Sequence, residues 1–317
     1  LGSWLTDFSL ARNIGFSGLF VLLTVLIISA GVEQGIEKWS SRLMPSLFAL
    51  MLALIVYVLT QDGASEGMKH YLVPDFSQIT NPDLIVSAMG QAFFSMSLGV
   101  GTMLVYGSYI RADENLPTVG ALVTLTDTSI AFLAGLLVLP AIFVAQKLGV
   151  TVYSDSGSLI AGPDLIFQVL PALFDGMGAA GLFVGFAFFV LMSIAAVTSS
   201  ISMLEVPVSY AVESHKIDRQ TATWIIGLII FGISTAISLN FDSLFGFVIT
   251  LTTERAQPLL SMMICIFAGW IFYRHTILNE LKSGNPSIES GLFWKLWPAY
   301  VKFVCPLLIL LTFAQGF

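Results

Sequence analysis

The apolar positions of the chain fall into long runs separated by short polar breaks. Runs nearly free of charge cover residues 13–32, 43–61, 84–110, 117–146, 176–204 (apolar to about 211), 220–241, 243–273 and 292–317. A hydrocarbon core takes roughly 20 helical residues to cross, and every backbone group within it must be paired inside its own segment. The eight runs therefore predict an all-α, polytopic membrane protein. A membrane barrel would need ~10-residue stretches that alternate apolar and polar, and none is present. Two longer intervals, about 62–83 and 147–175, join spans on one side. The second contains GPDLIFQVLPALF, where Leu165, Ile166, Val169, Leu170 and Leu173 recur at helical spacing and predict an amphipathic helix.

Composition sharpens this picture. Of 317 residues, 56% are hydrophobic and 10% charged, with a mean hydropathy of +0.89. Soluble domains carry about 25% charged residues. The net charge of −7 and the isoelectric point near 4.8 argue against a nucleic-acid partner. Cys265 and Cys305 lie in apolar runs and read as packed thiols. There is no heme-attachment, zinc or phosphate-loop motif, and His70, His215 and His275 all lie near predicted loops. A membrane-embedded enzyme would need a nucleophile–base pair or a metal cluster within the spans, so no enzyme is expected. An ion channel is disfavoured by the lack of a ring-forming filter motif.

Orientation follows from the cations. Lys38, Arg42, Arg111, Lys216, Arg219, Arg274, Lys282 and Lys295 collect on one side, against Arg12, Lys69 and Lys147 on the other. Arg255 and Lys302 count as inside spans. The first side is predicted to be cytoplasmic, in the inner (plasma) membrane of the cell, with both chain ends outward. An outward start at a leucine without a signal peptide predicts an incomplete chain whose earlier spans precede it.

The third run reads GQAFFSMSLGVGTMLVYGSYI. Gly99 and Gly101 stand at its centre, just after Ser95 and Ser97, and each interior glycine costs a helix about 1 kcal/mol against alanine. Unwinding there would free carbonyls and amides in the middle of the membrane, as the discontinuous helices of secondary transporters do to bind ions and substrates. Close helix packing through small residues is the alternative. In the fifth run, Ala195, Thr198 and Ser199 share one helical face. They offer part of an oxygen cage for a hard cation, unless the hydroxyls bond their own preceding carbonyls. Asp127, about ten residues into the fourth run, must face a cation or a polar cavity. Glu205 reads as a structural network residue, and Glu254 and Arg255 as partners for other helices.

Together, GQAFFSMSLGVG, TSSISMLEVPVSY, GPDLIFQVLP and GIEKWSSRLMP with its following apolar helix resemble the neurotransmitter:sodium symporter family, bacterial branch, with the leucine-transporter fold. The resemblance covers nearly the whole chain and aligns its spans with the family's fourth to eleventh helices. The first three helices lie outside it, as does a twelfth that many bacterial members also lack. It implies one transmembrane domain over 1–317. Residues 13–61 would be the remainder of a first inverted repeat, 84–273 the second repeat, and 290–317 an additional helix.

By this resemblance Phe94, Ser95, Ser97, Val100, Ser199 and Met203 bind substrate. Ser95 and Asp127 hold a first sodium, and Ala195, Thr198 and Ser199 a second. Asp127 replaces the usual asparagine and supplies a negative charge that animal members take from chloride, while Ala131 stands where other bacterial members can place an acid. Val100, smaller than the usual residue, leaves room for a hydrophobic or aromatic amino acid. Gln91 matches the outer gate, and Ser108, Tyr109 and Glu213 the inner gate. The acidic partner of the outer gate, in the family's tenth helix, is replaced near Gly246, with Asp242 four residues earlier, and TLTTERAQP departs from the family pattern. Gly35 and Pro45 enclose nine residues. In the family this spacing permits unwinding, although a loop exit and a helix-start proline would give the same residues.

The implied function is sodium-coupled amino-acid symport by alternating access, independent of chloride, with Na+ as the coupled ion. A transport-inactive scaffold or amino-acid sensor keeping the fold remains the alternative. The expected partners are an amino-acid substrate, the lipid bilayer and the missing amino-terminal helices of the same protein, with a homodimer left open and no nucleic acid. By themselves these residues supply half of each site and are not expected to transport.

Overall fold

The computed structural model describes residues 9–153, 159–160 and 165–315, without the side chains of 242, 254, 312, 314 and 315. In chain order its first helices are α1 (Leu10–Ser29), α2 (Lys38–Leu59), α3 (Ala64–Leu72), α4 (Pro82–Ser95), α5 (Thr102–Ser108), α6 (Leu116–Lys147) and α7 (Leu170–Gly176). Then follow α8 (Ala179–His215), α9 (Arg219–Leu239), α10 (Phe241–Ile249), α11 (Gln257–Ile266), α12 (Arg274–Gly284), α13 (Leu292–Ala299) and α14 (Cys305–Gln315). Five π-helical segments lead into or join these helices: Val32–Glu37, Leu165–Val169, Thr250–Ala256, Phe267–Ile271 and Tyr300–Val304. Among the described residues there is no strand, only an isolated bridge from Tyr153 to Leu159.

Among the described residues, six helices are long and apolar enough to cross a membrane, or seven if Ser243–Ile271 and Arg274–Gly284, bent by 98°, count as one span. The predicted span over 84–110 is divided into two short helices, α4 and α5, at the place where unwinding was expected. The six bury only 11 to 33% of their most apolar stretch. Such wide apolar faces, with Phe183 74% and Phe186 72% exposed on α8, require lipid rather than water around them. The chain is a polytopic, helical membrane protein.

The described residues separate into two compact units. The first holds those of Leu1–Pro74, Ser129–Leu204 and Tyr210–Ser238, and the second those of Asp75–Thr128, Glu205–Ser209 and Leu239–Phe317. In the first, Leu47, Met51, Leu54, Ile55 and Val58 form one stripe along α2. The spacing of three and four residues puts them on a single face, which packs with Leu137, Ala141 and Val144 of α6 and with Phe188 of α8. The amphipathic segment read from 165–173 closes this core, with Val169, Leu170 and Leu173 buried on α7 and the turn before it. Its predicted start, residues 162–164, lies outside the described residues.

Small hydroxyls join helices where no hydrophobic drive exists in lipid. Thr24 and Ser200 share a hydrogen bond of 3.0 Å, as do Ser17 and Ser234. Arg219 donates to the Ile28 carbonyl at the end of α1, 3.0 Å away. Pro45 is no helix-start proline: it lies inside α2, and Gly35 belongs to the π-helical turn that leads into it. That turn is tight, for a Cβ on Gly35 would run into the Ile27 carbonyl.

In the second unit α11 packs closely along α14, and the Cys265 and Cys305 thiols meet within hydrogen-bonding reach while remaining free. A small cluster of Leu281, Ile288 and Trp294 ties α12 to α13, reinforced by an ion pair between Lys282 and Glu289. Outside the spans, Asp75 accepts the Ser77 amide at 2.9 Å, and that bond holds its carboxyl below the usual carboxylate range.

Candidate functional site

Helix α4 begins with Pro82 in its first turn and the Asn81 side chain capping the Asp83 amide at 3.0 Å, a favourable start on both counts. It ends abruptly at Ser95. Ser97 has φ +51°, Gly99 +81° and Gly101 +94°, so the chain passes three times through the left-handed region before α5 begins. Glycine enters that region freely, whereas a serine is held there at a cost of about 1–2 kcal/mol. Ser97 is thus a strained residue at the turn where unwinding was predicted.

The break leaves backbone groups open. Residual turns remain, with Leu98 N–H bonding Phe93 O at 3.1 Å and Ser97 N–H bonding Phe94 O at 3.1 Å. Among the described residues, the carbonyls of Ser95 and Met96 accept no hydrogen bond and the amides of Gly101 and Thr102 donate none. The Thr102 hydroxyl is also buried without a partner. Unpaired peptide groups in a membrane-spanning segment cost several kcal/mol unless a cation, a substrate or another polar group uses them.

Across from the break, Ser95 Oγ lies 2.9 Å from Asp127 Oδ1 and 2.8 Å from Oδ2. One hydroxyl proton is shared between both carboxyl oxygens, and Asp127 is half-buried on α6. The hydroxyl and the carboxylate thus bring three oxygens together next to the helix break. A hard monovalent cation favours such a set.

The segment is pinned from α11. Gln257 Nε2 donates to Phe93 O at 3.2 Å, and Ser261 Oγ donates to Gln257 O at 2.9 Å. Both residues are buried. A Cβ on Gly99 would overlap Gln257 O and come within 2.6 Å of Ser261 Oγ. Sequence reasoning missed Gln257 and Ser261. The available signal was a glutamine beside Pro258 in an apolar run, where an amide is expensive without a defined partner.

The other predicted residues distribute as follows. Phe94 is exposed, while Ser97 and Val100 are half-buried in the second unit. Ala195, Thr198, Ser199 and Met203 belong to the first unit. There Thr198 is buried and bonds back to Ile194 O at 3.1 Å and Ala195 O at 2.9 Å, which still leaves its oxygen lone pairs free to accept or ligate. Ser199 and Met203 are exposed on the same helix. Gln91 is exposed on α4, and Glu213 is exposed near the end of α8. Ser108 turns back onto Val105 O at 2.7 Å. The side chains of Asp242 and Glu254 lie outside the described residues, and the Thr250–Ala256 stretch containing Glu254 is a π-helix.

Tyr109 gives its hydroxyl to Glu205 Oε1 at 2.5 Å, and Glu205 is fully buried. The pair links the end of α5 to α8 within the second unit. Tyr109→Phe removes this one bond to a buried carboxyl, a loss of about 1–3 kcal/mol. The variant is expected to melt earlier than wild type in a thermal-shift assay, and an unchanged midpoint would show that the bond contributes nothing.

Comparison with known proteins gives a consistent answer. The family model described as "Sodium:neurotransmitter symporter family" matches residues 14–317. An uncharacterized sodium-dependent transporter of Haemophilus influenzae is 34% identical over 304 residues, covering 94% of this chain and 64% of the relative. The uncharacterized sodium-dependent transporter YhdH of Bacillus subtilis is 32% identical over 305 residues, covering 93% of this chain and 64% of the relative. The crystal structure of MhsT in complex with L-phenylalanine matches with a TM-score of 0.79 and 36% identity, over 96% of this chain and 68% of that one. The chain thus spans just under two thirds of the length of these curated relatives.

Proposed function

Since the chain belongs to the sodium:neurotransmitter symporter family, we propose that it forms the larger part of a membrane transporter in which sodium drives amino-acid uptake by alternating access. The observation that carries this reading is the Ser95–Asp127 oxygen cluster beside the interrupted helix. A first sodium there is ligated by Ser95 and Asp127, and the substrate's amino group is held by the open backbone near Phe94, Ser95 and Ser97. Coupling follows if that sodium also touches the substrate carboxylate, because each ligand then raises the affinity of the other by the same factor.

The finer features belong to the same reading. Ala195, Thr198 and Ser199 supply one part of a second sodium site, and Val100, Ser199 and Met203 line the place of the substrate side chain. The short Val100 favours a hydrophobic or aromatic amino acid, a preference supported by the L-phenylalanine held by the similar structure. The carboxylate of Asp127 takes the place of chloride. Gln91 serves the outer gate, and Ser108, Tyr109 and Glu213 the inner one. Counting the interrupted pair α4–α5 and the bent pair as spans gives eight, with residues 84–273 as the second of two inverted repeats. The membrane is the plasma membrane, with the lysine- and arginine-rich face inward.

A scintillation-proximity screen of the twenty amino acids against the full-length protein tests this. Binding of one or a few hydrophobic amino acids is expected in sodium and not in potassium. Equal binding in potassium would remove the symport reading, and no binding of any amino acid would favour a scaffold that keeps only the fold.

A further inference from the structure

We propose that the second unit carries a binding site for the phosphate headgroup of an anionic phospholipid, built at the elbow where the span ending at Ile271 turns into α12. The chain bends there by 98° over an extended step at Phe272 and Tyr273. A cavity of about 340 Å³ opens beside the elbow, and its lining includes Arg274, Lys302, Trp294 and Trp297 but no aspartate or glutamate.

Depth is set by contacts. A Cβ on Gly269 would lie 3.0 Å from the Lys302 Cα, and Trp270 Nε1 donates to the Lys302 carbonyl at 3.2 Å. Lys302 therefore packs against the last turn before Ile271, where that span ends and the elbow begins. Around it Trp270, Tyr273, Tyr300 and Phe303 are all at least half-exposed. Exposed tryptophan and tyrosine gather where headgroups meet hydrocarbon.

Both cations are positioned but not neutralised. Lys302 Nζ stands 4.1 Å from the centre of the Trp270 ring, and Arg274 Cζ stands 5.2 Å from that of Trp294. Among the described residues neither has a carboxylate within 4.0 Å, whereas Lys282 close by is paired with Glu289. In a chain of net charge −7, two cations held on aromatic rings and facing one cavity call for an external anion. At headgroup depth that anion is a lipid phosphate, and basic pockets between helices on the cation-rich side bind such headgroups.

Two surface cations correspond to a preference of roughly 10- to 30-fold for an anionic over a zwitterionic lipid. The test uses the full-length protein in phosphatidylcholine nanodiscs, with either brominated phosphatidylglycerol or brominated phosphatidylcholine at equal mole fraction. Trp270, Trp294 and Trp297 adjoin the site and report bromine by loss of fluorescence. Wild type should be quenched more by the anionic lipid, and so should R274K/K302R. R274Q/K302Q should lose the excess while keeping the quenching by brominated phosphatidylcholine, which reports an intact fold. If the double variant fails to fold, R274Q and K302Q singly should each lose part of the excess. An excess that survives these substitutions overturns the proposal. So does its removal by millimolar inorganic phosphate, which would mark a site for the free ion.

Discussion

Gly99→Ala is expected to abolish sodium-dependent amino-acid binding and to lower stability at the same time. Two costs combine. A residue with a Cβ at φ +81° is disfavoured by about 1–2 kcal/mol. The added methyl also overlaps Gln257 O and crowds Ser261 Oγ, and overpacking of this kind adds about 1–3 kcal/mol. Relief requires the turn to move away from α11, which breaks the bond from Gln257 to Phe93 O and displaces the open carbonyls of Ser95 and Met96. Thermal unfolding and equilibrium binding on the same preparation would check this. A variant that melts and binds as wild type would show that the close fit at Gly99 is dispensable.

The second large effect is expected at Asp127. Asp127→Ala removes both oxygens that receive Ser95 Oγ. A charge-assisted interaction is worth about 1.5–3 kcal/mol, so apparent sodium affinity should fall about 10- to 100-fold. Asp127→Asn separates charge from geometry, because the amide keeps one oxygen for Ser95 and sodium but loses the negative charge. Binding by this variant should be weak in gluconate and recover when chloride is supplied. If it neither loses affinity nor responds to chloride, the role given to Asp127 is wrong.

The broken helix was legible because its signal is local. Two glycines after two serines, in a run too long for one span, declare a place where backbone pairing fails, and the chain stops being helical between Ser95 and Thr102. The α2 stripe and the amphipathic segment ending in α7 were legible for the same reason, since periodicity within one element fixes a buried face. The partners of the break were less so. Asp127 could be flagged as an expensive carboxylate, but its contact with Ser95 depends on packing across 32 residues of sequence. Gln257 lies 164 residues from Phe93, and no spacing rule connects them. The packing of Lys302 against Gly269 and Trp270 was not legible either, because hydropathy counts residues along one run and this contact spans 32 residues of sequence. Nor does periodicity reveal the division into two units, because a boundary between residues 128 and 129 falls inside the apolar run 117–146.

The π-helical stretch Thr250–Ala256 bears on how such chains are aligned with one another. A π turn accommodates a residue beyond the α-helical count, so a length change at this point is absorbed locally. What lies downstream keeps its phase, and Gln257 and Ser261 still meet Phe93 and Gly99. Homologues that differ by one position between Ile249 and Gln257 can therefore share the same downstream architecture. An ungapped comparison across such a length change would shift out of frame there and mistake an accommodated insertion for a lost motif.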